Sequence, residues 1–264
     1  MEYTIGCTTR PYESLTFSEA CDYISAAGYS DVAVFANAGR NPVRADSTRE
    51  EIRETGRAAA NAGLTTSALM GSVRFLDEGL EACLDDYKRL IDNVAALGAK
   101  WLLDCGTASE AYYKDYYELM RRVTPHAAQA GVNIALKPHG GISLTVQDLI
   151  KADREVSHPA FGICYDPGNI IYYSKGGLRP ETDIDEVASK VTTAIIKDCV
   201  VQGDELDVMV TPGEGLVDFG KVLGGLAAGG FDGPLYVECV GGTTVNEINA
   251  NIESTLKFVR SVLA

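Results

Sequence analysis

Short apolar runs recur along this chain about every 25 to 35 residues, each followed by an amphipathic stretch, and this alternation limits the fold to a few architectures. The runs are YTIGC (3–7), DVAVF (31–35), TTSALM (65–70), KWLLDC (100–105), NIALK (133–137), FGICYD (161–166), TTAIIKD (192–198) and LYVEC (235–239). They read as strands covered on both faces. Helical patterns fill the gaps at 18–28, 48–63, 80–98, 116–131, 145–156, 183–191 and 217–230, and a last one at 245–263 closes the chain. Many of these stretches end in Ala-Gly, Leu-Gly or Gly-Gly, the usual C-terminal stop of a helix. Eight strand–helix units predict an α/β fold, one (β/α)8 barrel domain over residues 1–264. A doubly wound sheet is the weaker alternative, because no G-x-G-x-x-G follows the first strand. Two connections are long for a barrel, 167–183 and 199–217. Both are candidate lids, and the second contains DVMVT (207–211), which could pair as a hairpin.

Composition narrows the partners. With 264 residues, 46% of them hydrophobic and 23% charged, the chain can bury a large core. A net charge of −14 argues against nucleic acid or an anionic membrane surface, both of which need clustered Lys and Arg. No apolar run reaches the roughly 18 residues of a membrane span, and the N-terminus lacks the pattern of a signal peptide. The seven scattered cysteines form no CxxC pair and several lie in apolar runs, which fits reduced thiols and a cytoplasmic location.

In such a barrel the pocket opens at the C-terminal ends of the strands, where rigid backbone positions side chains. The polar residues there are few. Arg10 and Asn37 follow the first two strands, Arg74 the third, and Asp104 ends the fourth. Strand five gives Lys137 and His139, strand six Asp166 and Asn169, strand seven Lys197 and Asp198, and strand eight Glu238. Taken singly they have plain readings: Asp166 before Pro167-Gly168 as a turn or cap residue, Lys197-Asp198 as a solvated pair, His139 as a loop-shaping residue before Gly140-Gly141. Four consecutive strands ending in ionisable groups point to a site. Tyr172 and Tyr173 could offer stacking faces to a sugar, whereas Tyr112, Tyr113, Tyr116 and Tyr117 read as packing or a subunit contact. The turn Pro212-Gly213-Glu214-Gly215 precedes a helix near Asp218. A glycine turn there can hold a phosphate in other barrels, but Glu214 and Asp218 would repel one, which leans the reading toward an unphosphorylated sugar or polyol.

The segments IGCTTR, AAGYSDVAVF, NIALKPHGG, CYDPGN, IIKDC and PGEGLVDFGKVLGGLAAGGFDGPLYVEC, with the terminal helix, resemble the sugar isomerase and epimerase superfamily of xylose isomerase-like TIM barrels. The resemblance implies a divalent metal held by a glutamate after strand five, an aspartate after strand six, a histidine on strand seven and a glutamate after strand eight. Asp166 and Glu238 match. Lys137 stands at the glutamate position and Ile195 at the histidine position, and neither an ammonium nor an isoleucine binds a metal. Two expectations follow. His139, Asp166 and Glu238 could hold one divalent ion (Mn, Mg or Zn), or no metal binds and Lys137 replaces its charge between Asp166 and Glu238.

The implied activity is isomerisation or epimerisation of a small carbohydrate, a sugar, keto-sugar or sugar phosphate, by proton abstraction beside a carbonyl. Lys137, Glu238 and His139 are then the catalytic candidates, and Asn169, Lys197, Asp198, Arg10, Asp104 and Tyr172 the substrate-binding ones. Dehydratase or lyase action on a keto-polyol, and a non-catalytic sugar-binding protein with a degraded metal site, stay open. The DNA-repair endonuclease that shares the barrel, which resembles a histidine-rich zinc site on a basic surface, is opposed by three histidines in total and by the acidic charge. A homo-oligomer is common among proteins of this appearance.

Overall fold

The computed structural model describes residues 3–71 and 79–264. Eight parallel strands close into a barrel: β1 (Ile5–Thr8), β2 (Asp31–Val34), β3 (Thr65–Met70), β4 (Trp101–Asp104), β5 (Asn133–Leu136), β6 (Phe161–Tyr165), β7 (Val191–Ile196) and, after a two-stranded hairpin of β8 (Val200–Gln202) and β9 (Glu205–Asp207), β10 (Leu235–Val237). The order around the barrel is β1-β10-β7-β6-β5-β4-β3-β2, so chain neighbours pair and β10 closes on β1 with Cys7 opposite Val237. The helices are α1 (Phe17–Ala26), α2 (Arg49–Asn61), α3 (Gly79–Leu97), α4 (Tyr113–Ala130), α5 (Val146–Val156), α6 (Pro167–Tyr173), α7 (Ile184–Val187), α8 (Phe219–Ala228) and α9 (Val245–Leu263).

Local chemistry sets most of these boundaries. Thr16, Thr48, Thr145 and Thr244 start α1, α2, α5 and α9 with reciprocal capping boxes to Glu19, Glu51, Asp148 and Glu247. The glycine stops read from the sequence take left-handed backbone at Gly28, Gly63, Gly98, Gly131 and Gly230.

Three expectations about the connections are corrected. Residues 167–183 do not form a loop throughout, because Asp166 caps α6 through the Asn169 amide and Pro167 occupies its first turn. The helix expected over 183–191 shrinks to α7 and a 3-10 turn, since β7 already begins at Val191. The hairpin forms upstream of DVMVT, between Val200–Gln202 and Glu205–Asp207, where Gly203 supplies the positive φ of a tight turn.

Period-two alternation sorts the barrel strands. Residues facing the helices, such as Val32, Leu102, Ile134, Ile163, Ile196 and Val237, join the large outer core. Ala33, Phe35, Ala68, Leu103, Ala135, Cys164, Ile195 and Tyr236 fill the lumen. One more alternation toward the C-terminal end, about 7 Å further along each strand, brings Cys105, Lys137, Asp166, Lys197 and Glu238 into the next inward layer.

Candidate functional site

Two ammonium groups and two carboxylates meet in that layer. Lys137 Nζ lies 2.9 Å from Asp166 Oδ2, 2.9 Å from Glu238 Oε2 and 3.0 Å from Glu238 Oε1. Lys197 Nζ lies 2.7 Å from Glu238 Oε1 and 3.7 Å from Asp166 Oδ2. All four residues are buried, with Lys197 the most accessible at 5%. The formal charges cancel, so the ions are desolvated together and compensate one another. Asp166 Oδ2 and Glu238 Oε2 each meet the Lys137 ammonium at 2.9 Å, and a carboxylate oxygen has about two lone-pair positions. Both oxygens therefore retain acceptor capacity for a hydroxyl donor.

The electrostatics fix the protonation states. Burial opposes a charge on Lys137, yet the Asp166 and Glu238 carboxylates outweigh it and hold the ammonium well above the ordinary lysine range. Lys197 is likewise raised, against its burial and the repulsion of Lys137, by Glu238 and Asp166. Burial alone would raise the Glu238 carboxyl, but the two ammonium groups pull it below the usual range. Near pH 7 both lysines are fixed cations and Glu238 is an anion.

The rim above this layer is aromatic. His139 Nε2 lies 2.8 Å from the Tyr173 hydroxyl, and the two rings stand 4.7 Å apart. Tyr172 meets Tyr173 edge-on at 5.2 Å and is 37% exposed. Burial first, then the two nearby ammonium groups, lower the His139 pKa, so its ring is neutral near pH 7. Asn169 ties α6 to the Lys137 segment by donating from Nδ2 to the Pro138 carbonyl at 2.8 Å. Gly141 takes φ +55° and sits so close to residues 107–108 that a Cβ would lie 2.4 Å from Ala108 Cα. Gly141 thus lets the loop after β5 lie against the loop after β4, while Gly140 lies under the Tyr173 ring.

The other candidates are spent elsewhere. Asp104 turns outward and accepts from Tyr87 and Tyr116 at 2.9 Å each and from the Gly106 amide at 2.7 Å, bracing the end of β4 against α3 and α4. Asp198, expected to reach substrate, spends both oxygens on backbone amides of its own chain. Arg10 pairs with Glu13 on the surface, Asn37 donates to the Tyr12 carbonyl, and Arg74 lies outside the described residues. Cys105 shares the inward layer with the four ions and was missed from sequence. It stands two residues beyond the inward Leu103, the one signal that could have found it, and burial pushes its thiol up to about 12.

The metal that the resemblance implies does not fit this donor set. The Lys137 ammonium lies between Asp166 and Glu238, where a divalent ion would need to sit. His139 is engaged by Tyr173, and Ile195 packs in the lumen one layer below. Among the described residues no three His, Cys, Asp or Glu side chains converge as metal ligands. The expected three-ligand site of His139, Asp166 and Glu238 is not assembled.

Comparisons agree with the architecture. The solved structure of a xylose isomerase domain protein from Planctomyces limnophilus is 20% identical, with a TM-score of 0.77, covering 99% of this chain and 98% of that one. A xylose isomerase-like TIM barrel protein from Mycobacterium smegmatis, in complex with magnesium, is 18% identical with a TM-score of 0.79, covering 99% and 98%. D-psicose 3-epimerase from Clostridium cellulolyticum H10, solved with D-tagatose, is 14% identical with a TM-score of 0.78, covering 98% and 99%. Identities this low carry the fold alone. A search of curated proteins finds no significant match. The family model described as a xylose isomerase-like TIM barrel matches residues 21–262, and the chain belongs to that family.

Proposed function

We propose that the chain is an isomerase or epimerase of a small sugar or keto-sugar, moving a proton next to a carbonyl at the C-terminal mouth of the barrel. The observation that carries this reading is the buried quartet of Lys137, Lys197, Asp166 and Glu238. Two fixed ammonium groups in a low-dielectric site suit the negative charge that develops on an enediolate oxygen. Asp166 Oδ2 and Glu238 Oε2 retain acceptor capacity for sugar hydroxyls. Glu238 is a weak base while both ammonium groups bind it. Substrate oxygens that take over those N–H donors would restore its basicity where the proton is removed. In this reading neutral His139, held by Tyr173, carries a proton at the rim, exposed Tyr172 offers its ring to the sugar, and buried Asn169 braces α6 against the Lys137 segment. The epimerase neighbours, among them 3-keto-D-glucoside 4-epimerase from E. coli, support the class of substrate.

A second reading, a sugar-binding protein without turnover, is favoured by the complete internal neutralisation of the quartet. One experiment separates them. The protein is incubated in D2O with a panel of ketoses, aldoses and 3-keto-sugars, and exchange or conversion is followed by proton NMR. The expected result is exchange at a carbon next to a carbonyl, lowered about 100-fold or more in Lys137→Met with the circular dichroism unchanged. Undiminished exchange in that variant would remove Lys137 from the mechanism. Calorimetric binding of a panel sugar with no exchange of any would overturn the isomerase reading, and loss of water from a keto-polyol would move it to dehydration.

A further inference from the structure

Lys137 and Lys197 share the same two carboxylates but are held unequally. Three carboxylate oxygens lie within 3.0 Å of Lys137 Nζ, as many as an ammonium has donors. Among the described residues Lys197 Nζ has one oxygen at hydrogen-bond distance, Glu238 Oε1 at 2.7 Å, while Asp166 Oδ2 stands off at 3.7 Å. Two of its three N–H donors are therefore uncommitted, on a cation that is only 5% exposed. A buried donor without a partner is costly, and in a site it marks where a ligand oxygen belongs.

The surroundings hold this ammonium in place. The first turn of α6 lies directly on the Lys197 stem, since a Cβ on Gly168 would lie 2.8 Å from Lys197 Cγ. The His139 and Tyr173 rings of the rim stand in its field: burial lowers the His139 pKa and raises that of the Tyr173 hydroxyl, and the Lys197 cation lowers both. Glu238, the base of the sugar reading, is its one close partner. A carbonyl oxygen that accepts from the free donors of Lys197 thus brings the adjoining carbon toward the carboxylate that takes its proton.

We propose that Lys197 is a catalytic residue, the electrophile that contacts the substrate's carbonyl oxygen, whereas the donors of Lys137 stay on Asp166 and Glu238. This rests on the isomerase reading above and assigns the oxyanion contact within it. When Glu238 removes the proton, the C–H electron pair becomes the carbon–carbon double bond and the carbonyl π pair moves onto oxygen. Lys197 keeps its protons and hydrogen-bonds the enediolate oxygen in a buried site, where a fixed cation acts most strongly. The proton then returns to carbon as the electron pairs shift back.

The test pairs neutral alditols with the aldonates of the same four to six carbons, which are anionic at pH 7. By calorimetry at low salt, wild type should bind an aldonate at least about tenfold more tightly than its alditol, and Lys197→Met should lose that preference. No aldonate preference in wild type, absence of any binding included, or a preference that survives in Lys197→Met, would overturn the proposal. In the proton-exchange assay Lys197→Met should lower kcat about 100-fold with KM within about threefold. Added ethylammonium should restore exchange to Lys197→Ala, which a purely structural loss would not allow. A raised KM with kcat unchanged would reduce Lys197 to ground-state binding and overturn the proposal. If neither variant folds, the wild-type titrations decide alone. If the aldonate preference depends on Lys197 and no sugar exchanges, the isomerase reading fails while the oxyanion contact of Lys197 stands.

Discussion

Asp31 gives the sharpest quantitative test of the barrel. It opens β2 at the N-terminal end of the barrel, is 3% exposed, and accepts from the Ser67 hydroxyl at 2.5 Å, which in turn lies 2.5 Å from the Tyr236 hydroxyl. Among the described residues no cation pairs with it. Burial pushes its carboxyl up to about 7, against a smaller lowering by Ser67. The native state therefore keeps a proton between about pH 4 and pH 7 that the unfolded chain has lost. Stability falls as pH rises through that window, and the full penalty stands above the folded value. A shift of about three units corresponds to about 4 kcal/mol, of which about 2 to 3 kcal/mol is lost between pH 5 and pH 8. Asp31→Asn keeps the shape and an acceptor for Ser67 but cannot ionise. Urea denaturation of both proteins at about pH 5, 6, 7 and 8 isolates this contribution as a difference, in which other titrating groups cancel. The variant should gain about 2 to 3 kcal/mol relative to wild type across that range. A difference that stays constant within about 0.5 kcal/mol would refute the buried, unpaired carboxylate.

Three further outcomes are expected. Lys137→Met removes the cation shared by Asp166 and Glu238 and should cost about 3 to 5 kcal/mol in urea denaturation; a loss below about 1 kcal/mol would mean that the quartet is not a closed ion cluster. Gly141→Ala forces a left-handed residue against Ala108 and Thr107, and should lower stability by about 2 to 4 kcal/mol, with an unchanged melting curve as the contrary result. About 1 mM Mn2+ or Mg2+ should leave the melting temperature within about 1 °C, because Lys137 already neutralises the carboxylates. A site filled at a hundred times its Kd would instead add about 2.7 kcal/mol, a rise of a few degrees.

Much of the fold was legible because its signals are local. All eight barrel strands start within two residues of the apolar runs, and α9 matches its helical pattern at both ends. The helices that failed are those whose signals were short or ambiguous. Asp-Pro-Gly-Asn reads equally as a turn, and only the Asp166 cap on the Asn169 amide makes it the start of α6. At 183–191 the early start of β7 overrode a helical pattern of nine residues.

Local pattern was enough for the repeating strand–helix order and for the layer in which ionisable side chains would gather, because hydrophobic periodicity and residue identity need no knowledge of distant partners. The family resemblance, set against residue identity, marks Lys137 and Ile195 as standing where two metal ligands are expected. Which of those side chains face one another is settled by the packing of the barrel. Lys137 and Glu238 are 101 residues apart and meet because the barrel closes. Asp104 and Asp198 also end strands but stand one residue out of phase with Asp166, and the donors that meet their outward carboxylates, tyrosine hydroxyls and backbone amides, come from α3, α4 and the turn at 213–217. A carboxylate goes where unpaired donors converge, and where they converge is a property of the packed chain.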